Sequence, residues 1–248
     1  MDIPEKSQKQ IISDQKQTIS DQKQTISDQK QIISDQKQTI CDIKDEIMTF
    51  REVLKRTSIL LVNAIELRDP YTKGHSDHVS ELTEKIARLA FSETFPNFEI
   101  VKMAALLHDV GKIGISETVL NKPTLLTDAE FIMVKFHTNL GERLVKPLML
   151  DNLLREAILH HHENFDGSGY PDGLRGQEIP LIARIIRVAD YFDALTSSRP
   201  YRAAMSKDKA IEVMKKNQHC FDPEIFKFFT SNICRLGAPP DRYSAGAP

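Results

Sequence analysis

The sequence predicts an all-α protein, a helical-bundle domain preceded by a long heptad-repeat helix. Three observations carry that expectation. The first forty-odd residues repeat a seven-residue unit almost verbatim, the rest of the chain places apolar residues at the spacing of one helical face, and no segment sustains the two-residue alternation of a strand. At 248 residues the chain has room for one domain of ordinary size plus an appendage, and enough length to bury a real core.

The repeat reads IISDQKQ, TISDQKQ, TISDQKQ, IISDQKQ and then a drifted TICDIKD. A seven-residue period is a coiled-coil signal. With Ile12, Ile19, Ile26, Ile33, Ile40 and Ile47 at the a position, Gln15, Gln22, Gln29 and Gln36 fall at d, followed by Ile43 and Phe50. Half of the early seam is polar, and each buried glutamine layer forfeits apolar burial and must find hydrogen-bond partners. The expectation is a weak coiled coil that makes the protein a homodimer, associating best between Ile40 and Leu54. The alternative is a recently expanded repeat forming a solvated single helix or a disordered tail.

From about Thr57 the composition becomes mixed and helical throughout, giving expected domains of 1–56 for the repeat helix, 57–236 for a second, helical domain and 237–248 for a flexible tail rich in Pro, Gly and Ala. Thr127 and Glu130 form a capping-box pattern that fixes a helix start. A helix beginning near Asn97 carries Ile100, Met103, Ala104, Leu107 and Val110 on one stripe, and another carries Ile182, Ile185, Ile186 and Ala189. NKPTLLT and DGSGYPDGLRGQEIP, dense in Gly, Pro and Asp, are loops.

Charge and cysteine usage narrow the function. Lys and Arg total 33 against 35 Asp and Glu, so there is no electrostatic footprint for duplex nucleic acid or an anionic membrane, while a small anionic ligand stays open. Cys41, Cys220 and Cys234 lie far apart without a CxxC pair and read as free thiols in a reducing compartment. The polar N-terminus has no apolar region behind it and no long apolar run follows, so the expected location is cytoplasmic, with no membrane span.

Five of the eight histidines fall beside carboxylates in four segments: His75, His108 with Asp109, His137, and His161 with His162; Asp190 completes the set. Imidazoles and carboxylates without thiolates suit iron or manganese as well as zinc, and such mixed shells leave positions open for water and substrate. On a helix, consecutive residues point about a hundred degrees apart, so His108 and Asp109 in one turn present an imidazole to one metal and a carboxylate bridging to a second. The apolar run before them delivers both from buried sequence, where polar groups without a purpose are costly.

In order along residues 57 to 230, RDPYTKGHS, LLHDVGKIGI, HHENFDGSGYPDGL, IPLIARIIRVADYFDALTSSRPYR and FDPEIF resemble the HD-GYP family. The resemblance implies a helical bundle holding a bi- or trinuclear metal centre, often iron, that hydrolyses the bacterial messenger cyclic di-GMP. It implies His75, His108, Asp109, His137, His161, His162 and Asp190 as metal ligands, with Asp109 and Lys112 catalytic and Lys112 touching substrate phosphate. Tyr170 and Pro171 belong to the signature loop, and Arg199 and Arg202 match positions that hold phosphate or guanine. Part of the family has a glutamate four residues before the first ligand histidine, supporting a third metal. Tyr71 stands there instead, with Asp69 the nearest carboxylate, so the expectation is two divalent ions, iron or manganese rather than zinc.

The expected chemistry is in-line attack of a metal-bridging hydroxide on one phosphodiester, giving pGpG and then GMP if the product rebinds. Plainer readings stand beside these roles. Lys112 also fits a cation at a helix C-terminus or an ordinary surface pair with the nearby aspartate, the GYP segment a tight turn, and Arg199 and Arg202 caps of the preceding helix. The competing functions are a phosphohydrolase acting on another nucleotide and a non-catalytic signalling module that recruits proteins through the GYP loop.

Overall fold

A computed structural model describes residues 5–69, 74–95, 97–148, 151–197 and 203–236. Tyr71, Arg199, Arg202 and the expected tail 237–248 lie outside the described residues. Every regular element among the described residues is helical, and the chain divides into two compact units, Met1–Leu54 and Lys55–Pro248.

Helix α1 runs without a break from Glu5 to Arg68. Within the first unit its repeats are stitched along the helix surface: Gln10, Gln17, Gln24, Gln31 and Gln38 each donate to the aspartate four residues on, at 2.8–3.0 Å. These are the neighbours that a helical period brings together. The isoleucines at the a positions stay about half exposed, from 46% at Ile47 to 52% at Ile12 and Ile40.

In the second unit the end of α1 contributes Val62 and Ile65 to the core. There follow α2 (His75–Ala90), α3 (Phe98–Leu106), a 3-10 turn at Val110–Gly114, the short α4 (Glu117–Leu120), α5 (Asp128–Lys135), α6 (His137–Val145), α7 (Asn152–His160), α8 (Leu181–Thr196), α9 (Lys207–Lys216) and α10 (Pro223–Leu236). Local sequence fixes the starts. Asn97, Asp151 and Ser206 accept backbone N–H bonds at the heads of α3, α7 and α9, and Thr127 with Glu130 closes the full capping box of α5. Asp222 caps α10 ahead of Pro223 and also pairs with Arg184 of α8 at 2.6 Å.

Helix α8 is the central strut, touching α2, α7, α9 and α10. Its Ile182, Ile185, Ile186 and Ala189 are buried as the periodicity required, together with Phe192. The stripe beginning at Ile100 is different. Helix α3 ends at Leu106, so Leu107 to Asp109 form the turn that closes it and Val110 belongs to the 3-10 segment. His108 and Asp109 are therefore not consecutive α-helical residues. The reason is a close approach of backbones: the chain turns at Gly111 to lie directly on α6, where an added Cβ would stand 1.9 Å from the His137 carbonyl oxygen and 2.4 Å from the Gly141 nitrogen.

The last residue of α1 locks the same segment from its far side. Arg68 donates through Nη1 to the Ile113 carbonyl, through Nη2 to the Ile115 carbonyl at 3.1 Å and through Nε to Glu117 at 3.2 Å, while Asn121 donates back to the Arg68 carbonyl. The 3-10 segment after Asp109 is thus held between α6 and the end of α1.

Gly111→Ala is expected to cost about 3 kcal/mol in urea denaturation, because only backbone stands in the way of the new methyl. Gly114→Ala meets only the tip of the Leu140 side chain and should cost about 1 kcal/mol or less. Equal costs would mean that the approach of the turn to α6 does not limit packing.

Candidate metal centre

The histidines and aspartates singled out by sequence converge because they sit at helix ends that meet over α8. His75 opens α2, His108 and Asp109 close α3, His137 opens α6, and His161 and His162 follow the last residue of α7; Asp190 projects from within α8. Their side chains form two groups whose donor atoms lie within 4.8 Å of one another: Asp109, His137, His161 and His162 in one, and His75, His108 and Asp190 in the other.

Asp109 joins the groups. Its Oδ1 faces His137 Nε2 at 3.3 Å and His161 Nε2 at 4.0 Å, while its Oδ2 faces His108 Nε2 at 3.4 Å and His75 Nε2 at 4.0 Å. Asp190 reaches from the other side, with Oδ1 at 3.3 Å from His75 Nε2 and Oδ2 at 3.9 Å from His162 Nδ1.

One local device aims three of the imidazoles. His108, His137 and His161 each place Nδ1 on the carbonyl three residues back, Ala105, Val134 and Ile158, at 2.6–2.7 Å. A carbonyl only accepts, so Nδ1 carries the proton and the lone pair of Nε2 is turned inward. His75 is aimed by Asp193 instead, whose Oδ2 accepts from Nδ1 at 2.6 Å; Asp193 Oδ1 lies 3.2 Å from His78 Nδ1.

The residues fit divalent cations. His108 Nε2 and Asp109 Oδ1 are buried without a hydrogen-bond partner among the described residues. Leaving such atoms unsatisfied in a core is costly. Donor spacings of 3.3 to 4.0 Å are close to the edges of about 3.0–3.4 Å that metal bonds of about 2.1 Å produce in octahedral or tetrahedral shells.

The electrostatics agree. Burial disfavours the ionised form of Asp109, but the charge of Lys112 and the neighbouring His108 outweigh it and hold the carboxyl well below its usual range. Burial likewise works against the Asp190 carboxylate, and His75 overcomes it. Burial keeps His161 and His162 well below the ordinary imidazole value, with neighbouring imidazoles adding to the effect, and lowers His137 despite Asp109. Burial thus favours the neutral form of all three. His75 goes the other way: burial is outweighed by its bonds to Asp190 and Asp193, which push it up to about 10. The site draws positive charge to that position.

Lys112 donates to Asp109 Oδ2 at 2.6 Å. Burial opposes its charge, yet Asp109 and the nearby Asp69 raise its pKa. Tyr170 lies with its ring centroid 4.9 Å from that of His162, tilted by 32°, at the start of a cis peptide to Pro171. The signature loop folds back on the histidines: a Cβ on Gly169 would meet the Asn164 nitrogen at 2.2 Å, and Tyr170 N–H donates to the His162 carbonyl.

Several supporting residues escaped the sequence reading. Asp193 stands one turn after Asp190 on α8, and that spacing was the available signal. Glu163, buried beside His162, accepts from the Asp172 and Gly173 N–H groups at 2.7 and 3.0 Å and so sets the loop. Arg187 grips Asn164 Oδ1 at 2.8 and 3.0 Å.

Asp193→Ala is expected to weaken divalent-cation binding about 10–100-fold, measured by chelator competition, with helix content unchanged by circular dichroism. Unaltered affinity would mean that His75 needs no such orientation.

Comparison with known proteins fits this geometry. The chain is 43% identical over 182 residues to a 3′3′-cGAMP-specific phosphodiesterase of Vibrio cholerae serotype O1, a match covering 73% of this chain and 38% of that protein. It is 43% identical over 177 residues to the cyclic di-GMP phosphodiesterase response regulator RpfG of Xanthomonas campestris, covering 70% and 45%. The chain thus spans less than half the length of these relatives. Among solved structures, an HDG"Y"P protein of Bdellovibrio bacteriovorus shares the fold, with a TM-score of 0.53 at 20% identity over 64% of this chain and 51% of the other. The HD domain family matches residues 59–225, which takes in every helix end that brings a donor to the site, and the chain belongs to that family.

Proposed function

We propose that this chain hydrolyses a cyclic dinucleotide, cyclic di-GMP, to linear pGpG at a centre that holds two divalent cations. The observation that carries the reading is Asp109, a buried carboxylate whose two oxygens each face a separate group of histidines. That is the arrangement of a bridging ligand. His137, His161, His162 and one oxygen of Asp109 would hold one cation; His75, His108, Asp190 and the other oxygen would hold its partner. An all-nitrogen-and-oxygen donor set suits iron or manganese as well as zinc, and iron or manganese is the pair proposed. When bound, the pair supplies Lewis acidity and a water acidic enough to act as nucleophile at neutral pH.

The remaining work falls to the chain's own side chains. Lys112 stands against Asp109 and offsets charge on the phosphodiester placed there. The Tyr170 ring walls the site beside His162. Glu163 and Arg187 keep that loop closed on the histidines. Arg199 and Arg202 belong to the reading as phosphate or guanine contacts. The names of the similar phosphodiesterases support a cyclic dinucleotide as the substrate class, and one of them favours a second reading, 3′3′-cGAMP in place of cyclic di-GMP.

Protein purified without oxygen and loaded with iron or manganese should convert cyclic di-GMP to pGpG faster than it converts 3′3′-cGAMP. Preference for the mixed dinucleotide would select the second reading. Binding without turnover of either would make the domain a receptor rather than an enzyme. Asp109→Ala should remove bound metal and lower turnover more than about 100-fold; full activity in that variant would refute the assignment of its ligands.

The heptad unit belongs to the same proposal as a homodimer contact, because a seven-residue apolar repeat buries its stripe only against another helix. Light scattering should give twice the chain mass, falling to the single-chain mass when Ile40 and Ile47 are both changed to Glu. A single-chain mass for the unaltered protein would rule the dimer out.

A further inference from the structure

Lys135 is a cation set against two aromatic rings, with no ion pair among the described residues. It ends α5, two residues before His137, and its Nζ lies 4.7 Å from the Phe131 ring centroid and 5.0 Å from that of Tyr170. Tyr170 in turn leans on His162. His162, Tyr170, Lys135 and Phe131 therefore form a continuous row from the donor groups outward.

The contact with Phe131 is the ordinary one between residues four apart on a helix. The contact with Tyr170 is not, since that ring comes from the signature loop. The neighbouring lysines have carboxylate partners: Lys112 pairs with Asp109, and Lys122 with Glu130 at 2.7 Å. Among the described residues, Lys135 Nζ has no hydrogen bond or ion pair and stands only against the two rings. Ring faces attract the ammonium without consuming its hydrogen-bond donors, which stay available to an anion.

We propose that Lys135, held between Phe131 and Tyr170, is a second phosphate subsite that binds the phosphodiester of the cyclic dinucleotide that is not being cleaved. The inference rests on the function proposed above. A cyclic dinucleotide carries two phosphodiesters in one macrocycle, so seating one at the donor groups beside Lys112 leaves the other near the rim. The ammonium of Lys135, without an ion pair among the described residues, faces Tyr170, and a phosphate oxygen is its natural acceptor.

Steady-state kinetics of the metal-loaded enzyme test this with Lys135→Gln and Lys135→Arg. Lys135→Gln should raise KM for the cyclic dinucleotide about tenfold, the size expected for one charge-assisted contact, while kcat changes less than about twofold and bound metal stays the same. Lys135→Arg should recover most of the loss. Raising the salt should increase KM of the unaltered enzyme more steeply than that of Lys135→Gln, because the lost contact is ionic. Unchanged KM in Lys135→Gln, a fall in kcat alone, or loss of bound metal would each overturn the subsite; the last would mean that the residue supports His137. An unaltered enzyme that cleaves no cyclic dinucleotide sinks the proposed function and the subsite together. An active enzyme with an indifferent Lys135→Gln sinks only the subsite.

Discussion

Asp109 is a carboxylate only 7% exposed, set among four imidazoles and a lysine inside a helical core. Removing that many polar groups from water costs several kcal/mol per ion unless each finds a partner of opposite charge and good geometry. Lys112 satisfies one oxygen of the carboxylate, and the other is left without a hydrogen bond. The surrounding architecture keeps this arrangement in place: four helix ends, the central α8, and a turn pressed onto α6 so closely that only glycine fits.

Placing donors at helix ends gives both precision and reach. An imidazole bonded to the carbonyl three residues back cannot rotate without breaking that hydrogen bond, so its Nε2 is aimed by the helix that precedes it, α3 for His108, α5 for His137 and α7 for His161. His75 takes its Nδ1 partner from outside its own segment. A side chain on α8 takes over, which makes the packing of α2 against α8 part of the chemistry. The signature loop is tied down by comparable means: Glu163 receives two backbone N–H groups, and Arg187 holds Asn164. A loop fixed in this way is a wall of the site rather than a flexible cover.

The 3-10 segment that follows Asp109 and carries Lys112 is gripped by Arg68, at the end of α1. A guanidinium presents its donors in a rigid fork, and here all three nitrogens are spent on one short segment. Strain on that helix end would therefore bear directly on the Lys112–Asp109 pair. In the repeat unit the contrast is plain. The Gln–Asp pairs satisfy polar groups along the helix itself, while the isoleucines gain nothing from their own helix and stay half exposed.

The sequence by itself determined the all-helical fold, the capping box at Thr127, the buried stripe of α8 and the residue types that meet at the centre. These follow from period, local capping and composition, which operate over a few neighbouring residues. It suggested that His108 and Asp109 share a helix, whereas the close approach at Gly111 places them in a turn, because a contact between α6 and residues far earlier in the chain leaves no local periodic mark. Tertiary structure alone decided which oxygen of Asp109 faces which histidines, that Asp193 rather than a carbonyl aims His75, and that Lys135 stands over Tyr170. Each depends on distances between side chains from different helices. Those distances are set by packing, and packing is resolved only when the whole chain has folded.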